Sequence, residues 1–207
     1  MIGIVDCGMG NLGSIVNMLD RLGAPAVMTD DVGVLGGCDR LILPGVGAFD
    51  RGMAELHERG LVEPLTRRVL DDGVPVLGIC LGMQLLARGS EEGERAGLGW
   101  IEGGVVRLAA GNGLKVPHMG WNSVQPTRAS LLFDEGQDPR FYFVHSYHLV
   151  CDDPHDVIAT TTYGIDIVAA VERGSVAGVQ FHPEKSHRFG LELLGRFAGV
   201  DTSARRR

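Results

Sequence analysis

The chain has no surplus of positive charge. Lysine and arginine number 19 against 26 aspartates and glutamates, a net charge of −7. That argues against nucleic acid as the main partner. The basic cluster Arg205-Arg206-Arg207 stands at the very end, and residues 201–207 are expected to be a frayed, solvated tail. No apolar run approaches the roughly 18 residues of a membrane span. No basic segment precedes an apolar one near the start: Met1-Ile2-Gly3-Ile4-Val5 reads directly as a strand closed by Asp6, so a signal peptide is not expected. Cysteine is scarce. Cys7, Cys38, Cys80 and Cys151 are scattered, with no C-x-x-C pair, which speaks against a zinc site or disulfide framework. A reduced, cytoplasmic setting is expected. Repeats, low-complexity segments and linkers are missing too. At 207 residues, 44% hydrophobic and 22% charged, one domain over residues 1–200 is expected, with a substantial core.

Glycine, by contrast, is abundant at 31 residues, which implies many tight turns and close backbone approaches. The first half alternates short apolar runs with helical patterns. Residues 1–8 read as a strand. Leu12, Ile15, Val16 and Leu19 fall at helical spacing, with Gly23 to end the helix. Residues 25–30 and 39–49 read as strands, the second running into a Gly/Pro loop. A helix is predicted over 53–73, with Pro64 as a break or first-turn residue. The run 74–80 then reads as a buried strand and 81–89 as a helix. This alternation predicts a mostly parallel open sheet with helices on both faces, an α/β fold. The second half changes character. Strand-like runs at 103–110, 117–126, 140–150, 157–164, 166–174 and 176–184 predict an antiparallel extension of the sheet, and 186–200 closes the chain as a helix.

One stretch carries a chemical signature: Gly78-Ile79-Cys80-Leu81-Gly82. A strand turning sharply into a helix exposes its corner residue and crowds its neighbours, so glycine is required on both sides. G-x-C-x-G is the thiol version of the nucleophile elbow. A helix beginning at Leu81 would point free N–H groups at Cys80 and favour the thiolate. The Leu81 N–H would then be a natural oxyanion donor. The alternative is a small buried hydrophobe, which is how Cys7, Cys38 and Cys151 read.

A thiol nucleophile needs a base, and of seven histidines His182 stands out. It follows a strand, and Glu184 is two residues on. In an extended segment both would project to one side, about 6.6 Å apart along the chain, so Glu184 could fix the imidazole's tautomer. A solvated histidine with a charged neighbour is the plainer alternative. Pro44-Gly45-Val46-Gly47 ends another strand, where glycines let backbone N–H groups turn toward a substrate, or simply make a tight turn.

Together, G-I-C-L-G-M-Q, P-G-V-G-A-F and Q-F-H-P-E-K-S resemble the class I (triad) glutamine amidotransferases. Four further stretches, Asp6–Leu12, Pro117–Asn122, Tyr142–His148 and Lys185-Ser186, resemble the glutaminase subunits of imidazole glycerol phosphate synthase, from residue 3 to about 198. Cys7 departs from the tyrosine usual there. The resemblance implies attack on glutamine's side-chain amide by Cys80, with His182 as acid and base and Glu184 as its orienter. It implies an oxyanion held by the N–H groups of Leu81 and the Val46 region, and glutamine held near Gly47, Gln84, Ser146 and Tyr147. It also implies ammonia transfer to a (β/α)8-barrel cyclase subunit in a heterodimer, with Asn11, Tyr142 and Lys185 facing that partner. No cofactor or metal is expected. Three rival readings remain open: a triad glutaminase or cysteine hydrolase of another pathway, a non-enzymatic module on the same fold, and a dinucleotide loop at Gly8, Gly10 and Gly13, which lacks a well-placed downstream acid.

Overall fold

The computed structural model describes residues 1–109 and 114–200. The tail expected at 201–207 lies outside the described residues. In chain order the strands are β1 (Ile2–Val5), β2 (Ala26–Thr29), β3 (Arg40–Gly45), β4 (Val76–Cys80), β5 (Gly103–Arg107), β6 (His118–Ser123), β7 (Gln125–Pro126), β8 (Arg140–His145), β9 (Tyr147–Cys151), β10 (Val157–Tyr163), β11 (Ile165–Arg173) and β12 (Val176–Val179). The helices are α1 (Leu12–Leu22), α2 (Val32–Gly36), α3 (Phe49–Glu58), α4 (Val62–Thr66), α5 (Leu81–Leu85) and α6 (His187–Ala198). None of the described helices is long and apolar enough to cross a membrane.

The main sheet runs β2-β1-β3-β4-β12-β11-β10-β7. Pairs from β2 through β12 are parallel and those from β12 to β7 antiparallel. Strand alternation sorts its side chains onto two faces. Ile2, Ile4, Leu77 and Ile79 join α1 and α6 in one core, through Ile15, Leu19, Leu193 and Phe197. Val5, Leu41, Leu43 and Val76 join the other helices in a second core, through Leu35, Phe49, Met53, Leu65 and Leu85. Helices on both faces of a mostly parallel sheet agree with the expectation, and Gly23 does end α1, in the left-handed conformation with φ 69°.

Three expectations need correcting. The antiparallel extension holds for β11, β10 and β7 alone, because β5 pairs with β9 and β6 with β8 in two separate ribbons. The run 140–150 breaks at Ser146, and its halves take different partners. The helix predicted over 53–73 is interrupted at Arg59-Gly60. It restarts as α4 with Pro64 in its first turn, then continues as a π-helical turn over Arg67–Asp71. Finally, Cys151 is only partly buried, whereas Cys7 and Cys38 are buried as expected.

The parallel strands point the same way. The residues following β1, β3, β4 and β12 therefore gather along one sheet edge, where open α/β sheets place ligands.

Candidate active site

Cys80 ends β4 and immediately precedes α5, with φ 56° and ψ −109°. A side chain rarely occupies that region, and holding it there costs energy. The flanking glycines show why the turn is so tight. A Cβ on Gly82 would lie 1.8 Å from the Leu43 carbonyl oxygen, and one on Gly78 would lie 2.8 Å from the Gly82 backbone. The chain folds straight back over β3 and β4, which leaves the thiol on the corner. α5 is shorter than the sequence predicts. Its last carbonyls are taken by the following loop, where Leu98, Ile101 and Gly99 donate to Leu85, Leu86 and Ala87. A helix of a turn and a half has little macrodipole, so only its first amides bear on the sulfur.

His182 lies just beyond β12, with its side chain 2% exposed. Its Nδ1 is 2.7 Å from Glu184 Oε1. The contact is the expected one, but the route differs: Pro183–Lys185 is a 3-10 turn rather than an extended segment. The turn swings the carboxylate back under the ring. Burial opposes a charge on His182, but Cys80 and Glu184 outweigh it and raise its pKa to about 9. The sulfur acts on the ring without closing a well-formed bond, since Nε2 is buried and has no hydrogen-bonded partner. The backbone is fixed as well. The His182 N–H donates to the Tyr142 carbonyl at 2.9 Å. The Ser186 hydroxyl donates to the His182 carbonyl at 2.6 Å and accepts from the Tyr142 N–H at 3.0 Å.

Cys80 and His182 line a cleft of about 480 Å³ with Val46, Gly47, Leu81, Gln84, Ser146, Tyr147 and Lys185. The fold thus brings together residues that the sequence places far apart. Val46 is 45% exposed, and Gly47 has φ +106°, a conformation suited to glycine. Gln84 is buried, and its Nε2 donates to the Tyr147 carbonyl at 2.9 Å and to Gln180 Oε1 at 3.0 Å. Both its N–H groups are used in these two contacts. Tyr142 and Lys185 also meet, with Nζ 5.9 Å from the ring centroid. Asn11 is exposed at the head of α1, on the same sheet edge.

Three residues at the site escaped the sequence reading. Gln180 is fully buried, and its Nε2 approaches Cys80 Sγ at 3.9 Å. The two-residue step from Gln180 to His182 was a usable signal. Glu92 lines the cleft, and its Oε2 accepts from the Phe49 N–H at 2.8 Å, just past the Val46-Gly47 loop. Ser186 holds the histidine as described above. Glu92 had no local signal, since it acts on a distant segment, whereas Ser186 stands four residues from the carbonyl it bonds.

The described fold has well-matched relatives. The family model for glutamine amidotransferase class-I matches residues 3–198. Imidazole glycerol phosphate synthase subunit HisH 2 of Methanococcus maripaludis is 47% identical over 198 residues, 95% of this chain and 98% of the relative. Subunit HisH of Moorella thermoacetica is 52% identical over 200 residues, 95% of this chain and 93% of the relative. A crystal structure of a glutamine amidotransferase superposes with a TM-score of 0.75 at 23% identity, covering 96% of this chain and 99% of that one, a likeness of fold. The chain therefore belongs to the class-I glutamine amidotransferases and, among them, to the imidazole glycerol phosphate synthase subunits HisH.

Proposed function

We propose that residues 1–200 act as one glutamine amidotransferase domain that hydrolyses glutamine to glutamate and ammonia with Cys80, His182 and Glu184. Cys80 sulfur attacks the side-chain amide carbon. The resulting oxyanion is met by the N–H groups of Leu81 and Val46. His182, already protonated at neutral pH, gives its proton to the departing ammonia. It then takes one from the water that cleaves the glutamyl thioester, which frees glutamate and restores the thiolate beside a protonated His182. Glu184 accepts from Nδ1 and keeps Nε2 turned to the reaction. Gly47, Gln84 and the backbone at Ser146 and Tyr147 seat the substrate. Glu92 is the one carboxylate among the residues lining the cleft, and it suits glutamine's α-ammonium.

The ammonia passes to a cyclase subunit with a (β/α)8 barrel. There it reacts with a phosphoribulosyl-formimino aminoimidazole carboxamide ribonucleotide, yielding imidazole glycerol phosphate and an aminoimidazole carboxamide ribonucleotide for histidine biosynthesis. The two subunits form a heterodimer in the cytoplasm. Asn11, Tyr142 and Lys185 face the partner. Met119, 61% exposed, and Trp121, 39% exposed, lie on the β6–β8 ribbon with Tyr142, and such apolar exposure fits a docking face.

The observation that carries this reading is the 2.7 Å contact of Glu184 with His182, which shares a cleft with a strained Cys80. A regulatory module would have no use for that strain. The test is glutamate release by the chain with its cyclase and the nucleotide. Inertness toward glutamine with and without the partner overturns the reading.

A further inference from the structure

Two buried histidines outside the triad form a polar chain that ends in the cleft. His145 Nδ1 lies 2.9 Å from the Tyr147 carbonyl, so Nδ1 carries a proton and donates. His145 Nε2, left as an acceptor, lies 2.9 Å from His118 Nδ1, which must donate. His118 Nε2 then accepts from Asn122 Nδ2 at 3.3 Å. The Asn122 amide cannot turn over, because it also donates to the Thr162 carbonyl at 3.0 Å and accepts from the Ser123 N–H at 2.9 Å. Every member thus has one tautomer or orientation. Burial holds both imidazoles neutral at pH 7, with His118 pushed down to about 4 and His145 to about 3.

The Tyr147 carbonyl is where this chain meets the site. It accepts from His145 and also from Gln84, and a carbonyl has two lone pairs to offer. Tyr147, Ser146, Gln84 and His145 all line the cleft, as does Pro117, the neighbour of His118. His118 itself is not among the lining residues; it stacks between Phe143 at 4.7 Å and Tyr163 at 4.1 Å.

We propose that His118 is a positioning residue for glutamine, acting through His145 to fix the Tyr147 carbonyl and, with it, Gln84 and the Ser146 backbone. Without the His118 donor, His145 is free to carry its proton on Nε2. Its Nδ1 would then face the Tyr147 carbonyl lone pair to lone pair, and the seat would loosen. The seat holds glutamine and its transition state alike, so the loss falls on KM rather than kcat. The proposal rests on the glutaminase reading above.

The experiment compares His118→Phe with His118→Asn in the complex with the cyclase. Phe keeps the stack and removes the donor. Asn places an N–H close to where Nδ1 stood. The Phe variant should raise KM for glutamine roughly fivefold to tenfold, the worth of one neutral hydrogen bond, with kcat within about twofold. The Asn variant should restore most of the loss. An unchanged KM in the Phe variant, a loss confined to kcat, or an Asn variant as impaired as Phe would each overturn the proposal. Nitrogen-15 NMR of the histidine rings decides independently of activity, even if the Phe variant fails to fold: wild-type His145 should carry its proton on Nδ1, and finding it on Nε2 overturns the proposal. A wild-type complex that releases no glutamate overturns the glutaminase reading instead, and this role with it.

Discussion

Three influences meet on the His182 ring: burial, which disfavours its charge, and Cys80 and Glu184, which favour it and prevail, raising the pKa to about 9. The unfolded ring titrates near 6.5. Because the folded value is the higher, the contribution to stability is fully present below about 6.5 and is lost as pH rises through 9. Glu184→Gln removes one support, so its loss should begin at lower pH. Denaturant unfolding from about pH 6 to 10 compares the two, and identical profiles would sink this account. Cys80→Ala should leave the fold intact and lower glutaminase activity by roughly 10⁴-fold or more. His182→Ala should be almost as damaging. Glu184→Ala should cost roughly a hundredfold less than loss of Cys80, because an orienting group is easier to spare than the proton donor. Steady-state glutamate release measures all three, and a Glu184 variant worse than the His182 variant would reverse the roles. The elbow and the His182–Glu184 contact could be read in the sequence because spacing encodes them, although the 3-10 turn that closes the contact could not. Gln180 offered a usable step to His182 and Ser186 stands four residues from the carbonyl it bonds, whereas Glu92 gave no signal, because it matters only through Phe49 on another segment.

Among the elements, α5 is packed unusually close to the sheet, and glycines on adjacent strands make the room. Gly45 pairs with Cys80, and Gly78 with Gly178. A Cβ on Gly45 would come within 3.1 Å of Leu81, and one on Gly178 within 2.8 Å of Met83 Cγ. The neighbours differ in kind. Gly82 faces backbone at Leu43, whereas Gly178 faces a flexible methionine. Gly82→Ala should therefore cost about 3 kcal/mol, a Tm loss of roughly 6–12 °C for a chain this size. Gly178→Ala should cost about 1 kcal/mol or less. Calorimetry of the two variants tests the ranking, and equal losses would refute it. The helix–strand alternation of the first half was legible because each period declares its element. The second half's strands were legible as strands, but not their pairing. An alternating run such as 140–150 satisfies a ribbon or a sheet equally well, and only distant partners choose. The early end of α5 has the same cause: carbonyls captured by residues 98–101.

On the scale of the whole molecule, the cleft lies where six chain segments converge, beside the ribbon that carries Met119, Trp121 and Tyr142. Ammonia made without an acceptor is wasted, so the isolated chain is expected to turn over slowly. Val46-Gly47 offers the gate, since a peptide next to glycine can turn at low steric cost, and loss of one oxyanion donor slows reaction by roughly 10²–10³. Adding the cyclase with its nucleotide should raise kcat more than KM. Full turnover by the chain alone, unchanged by the partner, would rule this out. The sheet order has a consequence for synthesis. β12 sits at the centre of the sheet, between β4 and β11, yet it is made after every other strand of that sheet. While the ribosome is still short of Val176, β4 has an open edge and Cys80 has neither imidazole nor carboxylate. A chain that stops short of Val176 would lack the proposed proton donor and its orienting carboxylate, and it should release no ammonia.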